Sequence, residues 1–238
     1  MLLPPERPSM PAIQLVSVDL FDTLVDLSTG RHTLWHTFLG ESSTPARVEQ
    51  AWTLTTQMLF TALDQLNVTA TYQSLHAVFQ TCYTEVFTRL YITFDPEEAA
   101  RVAARYHAQC PWFPEAVPWL EDIRRRYRLC VASDADEAMV GEHVRRYPFD
   151  RCFTSEGLRV YKGDAQNRFF AAIVRHYALA PSQILHVGDT PAEIVAAQRV
   201  GLQTCWVNRS GRSWPYERPP TYEVPSLAAL GALLEEAR

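Results

Sequence analysis

Short apolar runs along the chain predict buried strands that alternate with helices. Four such runs are rich in β-branched or other apolar residues, and polar turn residues follow each of them. These predicted strands are Ile13–Asp19, Arg128–Ser133, Ile184–Gly188 and Gln203–Val207. Apolar residues at helical spacing predict helices at Ala165–Tyr177 and Pro191–Val200. A short strand is predicted at Tyr222–Val224, before a last helix that begins at Leu227. Strands that alternate with helices indicate an α/β fold with a parallel sheet covered on both faces.

The stretch between Asp26 and Trp112 interrupts that alternation, because it contains helical patterns and no convincing strand. Its predicted helices are Arg31–Leu39, Ala46–Leu66, Tyr72–Leu90 and Pro96–Gln109. The strand-forming residues on either side must then build one common core. The sequence therefore predicts an α/β core made of residues 1–25 and 113–238, with residues 26–112 inserted as a helical lobe.

Composition and charge narrow the range of partners. The chain has 238 residues, of which 47% are hydrophobic and 21% charged, which is ordinary for a globular protein. Its net charge of −5 gives no electrostatic case for nucleic acid or an anionic membrane. We therefore expect no nucleic-acid or membrane partner, and the site residues described below indicate a small-molecule substrate. We also expect a monomer or, through the aromatic-rich helical lobe, a homodimer.

The first residues and the cysteines of the chain indicate the cellular compartment in which we expect the protein. Residues 1–12 contain four prolines and no apolar h-region, so they predict a loose tail and not a signal peptide. The five cysteines are widely spaced, and no pair of them has metal-ligand spacing. These features predict a protein of the reducing cytoplasm.

Polar side chains gather at one edge of the predicted sheet. Asp19 ends the first predicted strand, Ser133 ends the second, and Asp189 directly follows the third. Lys162 and Glu193 add an ammonium group and a second carboxylate near the same edge. The carboxyl ends of parallel strands meet at one edge, where open α/β folds place their chemistry. The set suits attack by a carboxylate on an anionic substrate, with an acidic pair that binds Mg²⁺.

The four segments that carry these groups, in this order, resemble the four motifs of the haloacid dehalogenase (HAD) superfamily. The helical insertion after the first motif resembles the C1-type cap domain of that superfamily. The resemblance implies a HAD-like, Rossmann-type parallel sheet with an inserted cap. It implies that Asp19 is the nucleophile, that Thr23 orients the first loop and that Lys162 offsets negative charge. It also implies that Ser133 binds substrate oxygens, and we expect Asp134, the next residue, to contact the substrate as well.

The same resemblance implies a Mg²⁺ site. Asp19 would supply a carboxylate oxygen, Phe21 its backbone carbonyl, and Asp189 the first ligand of the fourth motif. Glu193 stands where a second acidic residue, usually Asp, would be. We expect its longer side chain to reach the metal through water.

Phe21 is the main departure from the pattern. HAD phosphatases usually carry an aspartate two residues after the nucleophile, and such a general acid contributes roughly 10²–10⁴-fold in rate. In 2-haloacid dehalogenases this position is commonly aromatic, with no acid, because a halide leaves without a proton. Phe21 fits that chemistry better and is also a candidate substrate contact. Asp22 is either a displaced acid or, as we predict, a structural carboxylate that accepts nearby backbone N–H groups.

Other positions fit a dehalogenase less well. Those enzymes carry Asn where this chain has Asp134, and the chain has no convincing match for their cap arginine, for which Arg31 and Arg47 are no more than candidates. The intact pair of Gly188 and Asp189 favours a metal site. The sequence therefore predicts, first, a Mg²⁺-dependent phosphatase of a small phosphorylated metabolite that acts through an aspartyl intermediate. The alternatives are a metal-independent 2-haloacid dehalogenase and a catalytically weak HAD-fold binding or regulatory protein.

Overall fold

The computed structural model describes residues 13–236, with side chains described as far as residue 234, so the predicted loose tail lies outside it. Its strands are β1 (Leu15–Val18), β2 (Arg128–Ser133), β3 (Arg151–Thr154), β4 (Ile184–Gly188), β5 (Gln203–Val207) and β6 (Tyr222–Val224). They form one sheet in the order β3-β2-β1-β4-β5-β6, and every pairing is parallel. The predicted α/β class with a Rossmann-type parallel sheet is confirmed.

The strand β1 lies at the centre of the sheet, between β2 and β4. Every residue of β1, β4 and β5 is buried, as expected for parallel strands covered on both faces. The chain builds the sheet outward from β1 to β3 and then continues on the other side from β4 to β6. The order reverses between β1 and β4, and open α/β sheets bind ligands at such a point.

Helices account for most of the rest of the described chain. They are α1 (Arg31–Leu39), α2 (Pro45–Thr69), α3 (Leu75–Leu90), α4 (Pro96–Gln109), α5 (Ala116–Ile123), α6 (Glu137–Arg146), α7 (Ser155–Leu158), α8 (Arg168–Tyr177), α9 (Pro191–Val200) and α10 (Leu227–Glu236). Individual residues determine where several of these helices begin or end. Thr44 and Asp95 cap the starts of α2 and α4 with their side chains, and Gly201 ends α9 at a φ of 92°. Within residues 13–236, no helix combines the length and apolar character that a membrane span requires.

One strand of the sheet was not predicted from the sequence. β3 has only four residues, begins with the exposed Arg151 and pairs with β2 alone at the edge of the sheet. A short edge strand needs no continuous apolar run, so it carries no clear hydrophobic pattern. The other five strands appear at or within the bounds that the sequence predicts.

The inserted segment contributes α1 to α4, all of which lie between β1 and α5. The chain leaves and re-enters the sheet region through two paired segments, where the Asp26 N–H donates to the Pro111 carbonyl and the Phe113 N–H donates to the Leu24 carbonyl. These two bonds hold the ends of the insertion side by side. The division into a core and a cap at residues 25/26 and 112/113 stays a prediction.

Candidate active site

The carboxyl ends of three neighbouring strands bring the predicted groups together. Asp19 directly follows β1, and its backbone N–H donates to the Val187 carbonyl of β4 at 2.8 Å. Ser133 is the last residue of β2, and Asp189 directly follows β4. Lys162 follows α7, and its Nζ reaches the same point. The sheet topology therefore gathers groups from distant parts of the sequence around one carboxylate.

Lys162 joins two buried carboxylates. Its Nζ donates to Asp19 Oδ1 at 2.7 Å and to Glu193 Oε2, and no side chain of the three is more than 6% exposed. Burial alone lowers the pKa of the ammonium, but the charges of Asp19 and Glu193 outweigh burial and raise it. Lys162 is the only lysine in the 238 residues. The chain thus places its single lysine in an ion pair at the candidate nucleophile.

The two carboxylates respond differently to burial. Burial raises the pKa of Asp19 to about 7, with Lys162 opposing the shift and Glu193 adding to it. Burial also favours the neutral form of Glu193, but Lys162 and a hydrogen bond with His186 hold its pKa below the usual range. Glu193 is therefore the ionised partner of Lys162, and the ionisation of Asp19 falls near neutral pH. Such perturbed groups are typical of active sites.

Glu193 has further partners in its own helix turn. Its Oε1 accepts the backbone N–H of Thr190 at 2.9 Å and the Thr190 hydroxyl at 3.0 Å, which caps the start of α9. A Cβ at position 188 would overlap the Glu193 carboxylate, so Gly188 leaves the space that this carboxylate fills. Glu193 therefore serves as a cap and an ion-pair partner at the place where a metal ligand is predicted.

Asp189 is the carboxylate without a counter-ion. Within residues 13–236 its side chain has no hydrogen-bond or ion-pair partner, and burial raises its pKa well above the usual range, with the charges of Glu193 and Asp19 adding to the shift. Carboxylate oxygens of Asp19, Asp189 and Glu193 lie within 4.8 Å of one another. Mg²⁺ prefers oxygen ligands of this kind. The donor set fits a divalent cation, which would supply the positive charge that Asp189 lacks.

The two hydroxyls predicted for the site lie in different surroundings. Ser133 lines the cavity above Asp19, and its buried Oγ has no hydrogen-bond partner in the described chain, so it is available to a substrate oxygen. Thr23 is fully buried, and it does not belong to the cavity wall. Its Oγ1 also has no partner among the described residues. The loop-orienting role of Thr23 stays a prediction.

Asp134 supports the loop that carries the lysine. Its Oδ1 accepts the backbone N–H of Lys162 at 2.8 Å, and burial raises its pKa to about 6, with Lys162 opposing the shift. The side chain also borders the cavity. Asp134 therefore holds Lys162 in place, and its predicted contact with substrate stays a prediction.

The ring of Phe21 packs against histidines and supplies no proton. Its centroid lies 4.9 Å from that of His107 and 6.1 Å from that of His143, both in edge-to-face geometry. The ring also borders the cavity. The position at which HAD phosphatases carry their general acid is therefore an apolar wall.

Asp22 has the structural contact that the sequence predicts. Its φ of 58° lies in the left-handed region, which Asp tolerates better than most residues. Its Oδ1 accepts the backbone N–H of Leu27 at 3.2 Å. The carboxylate thus stabilises the loop that leaves the sheet.

A cavity of about 210 Å³ opens above Asp19. Its charged floor comes from Asp19, Ser133, Asp134, Lys162, Asp189 and Glu193. Its roof comes from the inserted helices, where Leu59, Leu63, Leu75 and Phe79 are apolar and Asp64, Asn67 and His107 are polar. Among the lining residues of the described chain, Lys162 is the only lysine or arginine.

The two arginines considered as cap arginines lie elsewhere. Arg31 pairs with Glu49 at 3.2 Å, and Arg47 donates to the Leu90 carbonyl at 2.9 Å. Neither lines the cavity. Each is engaged within the helical insertion, so the structure does not bring either arginine to the site.

Two residues near the site were not predicted from the sequence. His107 lies in the roof, and its Nδ1 is 2.7 Å from the Ala103 carbonyl, so this nitrogen donates and Nε2 is the acceptor. Asp136 follows Ser133 by three residues and contacts the inserted segment. An Asp at position 136 ordinarily caps its own helix, and nothing in the sequence around His107 indicates a cavity, so neither placement had a usable signal.

The chain belongs to the haloacid dehalogenase-like hydrolase family, whose model matches residues 13–201. It is 30% identical over 131 residues to (S)-2-haloacid dehalogenase of Pseudomonas sp. strain YL, across 52% of this chain and 56% of that protein. It is 31% identical over 130 residues to pyrimidine 5′-nucleotidase YjjG of Escherichia coli strain K12, across 52% and 57%. The matches thus span little more than half the length of these relatives. The solved L-2-haloacid dehalogenase of Xanthobacter autotrophicus shares the fold, with a TM-score of 0.80 at 18% identity over 94% of this chain and 99% of that one.

Proposed function

We propose that the protein hydrolyses the carbon–halogen bond of a small 2-haloacid through a covalent ester on Asp19. The observation that carries this proposal is Phe21, whose ring packs on His107 where a phosphatase would hold its proton donor. A halide leaves without a proton, whereas a poor alkoxide leaving group needs one. The dehalogenase names of several relatives support the same choice. This reverses the order of the two functions that the sequence predicts.

The steps follow from groups on the cavity floor. The Asp19 carboxylate attacks the carbon that carries the halogen, a carbon–oxygen bond forms, and the halide leaves with the bonding electrons. Ser133 offers its unpaired hydroxyl to the substrate carboxylate, and Lys162 holds Asp19 in position. Water then attacks the ester carbonyl of the intermediate. This step restores Asp19 and releases the 2-hydroxy acid and one proton.

The size and chemistry of the cavity support a small substrate. A volume of about 210 Å³ suits a molecule of a few carbon atoms. The apolar roof residues Leu59, Leu63 and Phe79 would cover its alkyl part, and the polar floor would hold its carboxylate. A substrate of this size also requires no nucleic-acid, membrane or protein partner, and we propose a monomer or homodimer.

A Mg²⁺-dependent phosphatase of a small metabolite is the second candidate. The cluster of Asp19, Asp189 and Glu193 favours it, since Asp189 lacks a counter-ion. These three carboxylates, with the Phe21 carbonyl, would hold the cation, which would neutralise charge between the nucleophile and a phosphate. In this case Lys162 and Ser133 would contact the phosphate oxygens.

The two candidates differ in product and in metal dependence. Purified protein is assayed for halide release from 2-chloropropanoate and 2-bromopropanoate in EDTA, and for phosphate release from p-nitrophenyl phosphate and acetyl phosphate with Mg²⁺. We expect halide release that persists in EDTA and is lost in Asp19→Asn. Phosphate release that requires Mg²⁺, without halide release, would overturn the first proposal in favour of the second. Turnover of neither substrate class would contradict both and favour a binding or regulatory protein.

A further inference from the structure

Asp136 directly precedes α6, but its side chain does not cap this helix. It occupies the N-cap position directly before Glu137, where an Asp side chain usually accepts an N–H of its own helix. No such bond forms, and the Glu137 N–H instead donates to Glu156 Oε2 at 2.6 Å. The side chain of Asp136 is therefore directed to a different helix.

That helix is α3 of the inserted segment. Asp136 Oδ1 accepts the Leu75 N–H at 2.9 Å, and Oδ2 accepts the His76 N–H at 2.7 Å. The residue is only 6% exposed. Hydrogen bonds to a carboxylate are stronger than neutral ones, and the start of a helix favours a negative charge. A residue of the second motif thus holds the first turn of a helix that roofs the cavity.

The third motif contacts the same connection between α2 and α3. The Tyr161 hydroxyl donates to the Gln73 carbonyl at 2.7 Å, the Arg168 guanidinium donates to the Ala70 carbonyl at 2.8 Å, and the Ala165 N–H donates to the carbonyl of residue 67 at 3.0 Å. The loops that carry Ser133 and Lys162 therefore both bind residues 67–76.

The start of α3 forms part of the roof. Leu75 and Phe79, one turn apart on this helix, both line the cavity above Asp19. A displacement of about 1 Å in a wall of this kind is enough to cost up to about 10²-fold in rate, because reacting groups must be held in near-attack geometry.

We propose that Asp136 is a positioning residue that holds α3 over the site, so that Leu75 and Phe79 confine the substrate against Asp19. The kinetic part of this inference rests on the proposed hydrolysis, whereas the placement of α3 does not.

The test compares Asp136→Ala with Ser74→Ala. Ser74 caps the same helix from within the insertion, where its hydroxyl accepts the Ala77 N–H at 3.2 Å. Both variants lose a cap of α3, but only Asp136→Ala breaks the connection to the second motif. Far-UV circular dichroism and urea unfolding establish that each variant is folded, and Asp136→Asn, which keeps one acceptor oxygen, serves as the partial rescue.

Hydrogen–deuterium exchange of the amides in residues 73–79 gives the readout that needs no activity. We expect exchange at least about tenfold faster in Asp136→Ala than in Ser74→Ala, with Asp136→Asn between them. With a substrate that the wild type turns over, we expect KM to rise about tenfold in Asp136→Ala and less than about twofold in Ser74→Ala.

Equal exchange in the two alanine variants would overturn the inference, because Asp136 would then be an ordinary helix cap. Faster exchange with an unchanged KM would overturn it as well, since the placement of α3 would not matter to the substrate. If the wild type turns over no substrate, the proposed function has failed, and the exchange comparison still decides whether Asp136 holds α3.

Discussion

The floor and the roof of the cavity are built from opposite kinds of residue. The floor lies at the ends of β1, β2 and β4, and Lys162 there pairs with Asp19 and Glu193 in surroundings that exclude water. The roof lies on α2, α3 and α4 and is mainly apolar, with Asp64, Asn67 and His107 as its polar residues. Charges interact more strongly where solvent is excluded. Under the proposed hydrolysis, the floor would supply the attacking group, and the roof would select the molecule that it attacks.

The strongest way to test the role of the floor is to remove its nucleophile. Asp19→Asn keeps the size of the side chain but cannot form the ester, so we expect kcat to fall by at least about 10⁴-fold. The measurement is single-turnover product release, with mass spectrometry of the wild type for a covalent adduct on Asp19. The matched control is Asp64→Asn, which changes a carboxylate of the cavity wall on α2. Activity retained in Asp19→Asn would assign the nucleophile to another residue.

A substitution of Lys162 tests how much its ion pairs with Asp19 and Glu193 contribute to the stability of the protein. Lys162→Met leaves Asp19 and Glu193 buried without their cation, so we expect the free energy of unfolding to fall by about 3–5 kcal/mol. Urea unfolding at pH 7 measures the change. In the double variant with Glu193→Gln, part of the loss should be regained, because one uncompensated charge is removed. A loss below about 1 kcal/mol would show that the floor does not depend on this ion pair.

Phe21 borders the cavity two residues after Asp19. We expect its replacement to change which leaving group the site accepts. Phe21→Asp restores a proton donor, so we expect hydrolysis of phosphate esters with Mg²⁺ to rise by about 10²-fold and halide release to fall. Phe21→Asn is the matched control, since Asn is similar in size to Asp and carries no acid. An equal change in both variants would trace the effect to lost packing on His107, and no gain in a folded Phe21→Asp would contradict the role given to this position.

The floor was predictable from the sequence, whereas the roof was not. Asp19, Ser133 and Asp189 each end or follow a strand, and parallel strands oblige such residues to meet at one edge. No comparable rule relates residues on different inserted helices, so the placement of His107 beside Phe21 follows only from tertiary packing. The direction of the Asp136 side chain also escaped prediction, because an Asp at that position ordinarily caps its own helix.

The smallest expected effect tests whether the His107 side chain in the roof is uncharged. Burial lowers the pKa of His107 to about 4, although its bond to the Ala103 carbonyl opposes the shift. An unfolded histidine has a pKa near 6.5, so the unfolded chain binds more protons between about pH 4 and pH 6.5. The stability that His107 contributes as a neutral group is therefore complete above about pH 6.5 and is lost as the pH falls toward 4, by an amount on the order of 2 kcal/mol.

His107→Gln removes that titration, so its free energy of unfolding should depend less on pH than that of the wild type. Urea unfolding of both proteins between pH 4 and pH 8 measures this. His143 also has a pKa lowered by burial and is present in both proteins, so the difference between the two curves isolates His107. That difference should be constant above pH 6.5 and change only below it. Parallel curves down to pH 4 would mean that His107 has the same pKa in the folded and unfolded protein, and the roof would then offer an anion a second positive charge opposite Lys162 only below about pH 6.5.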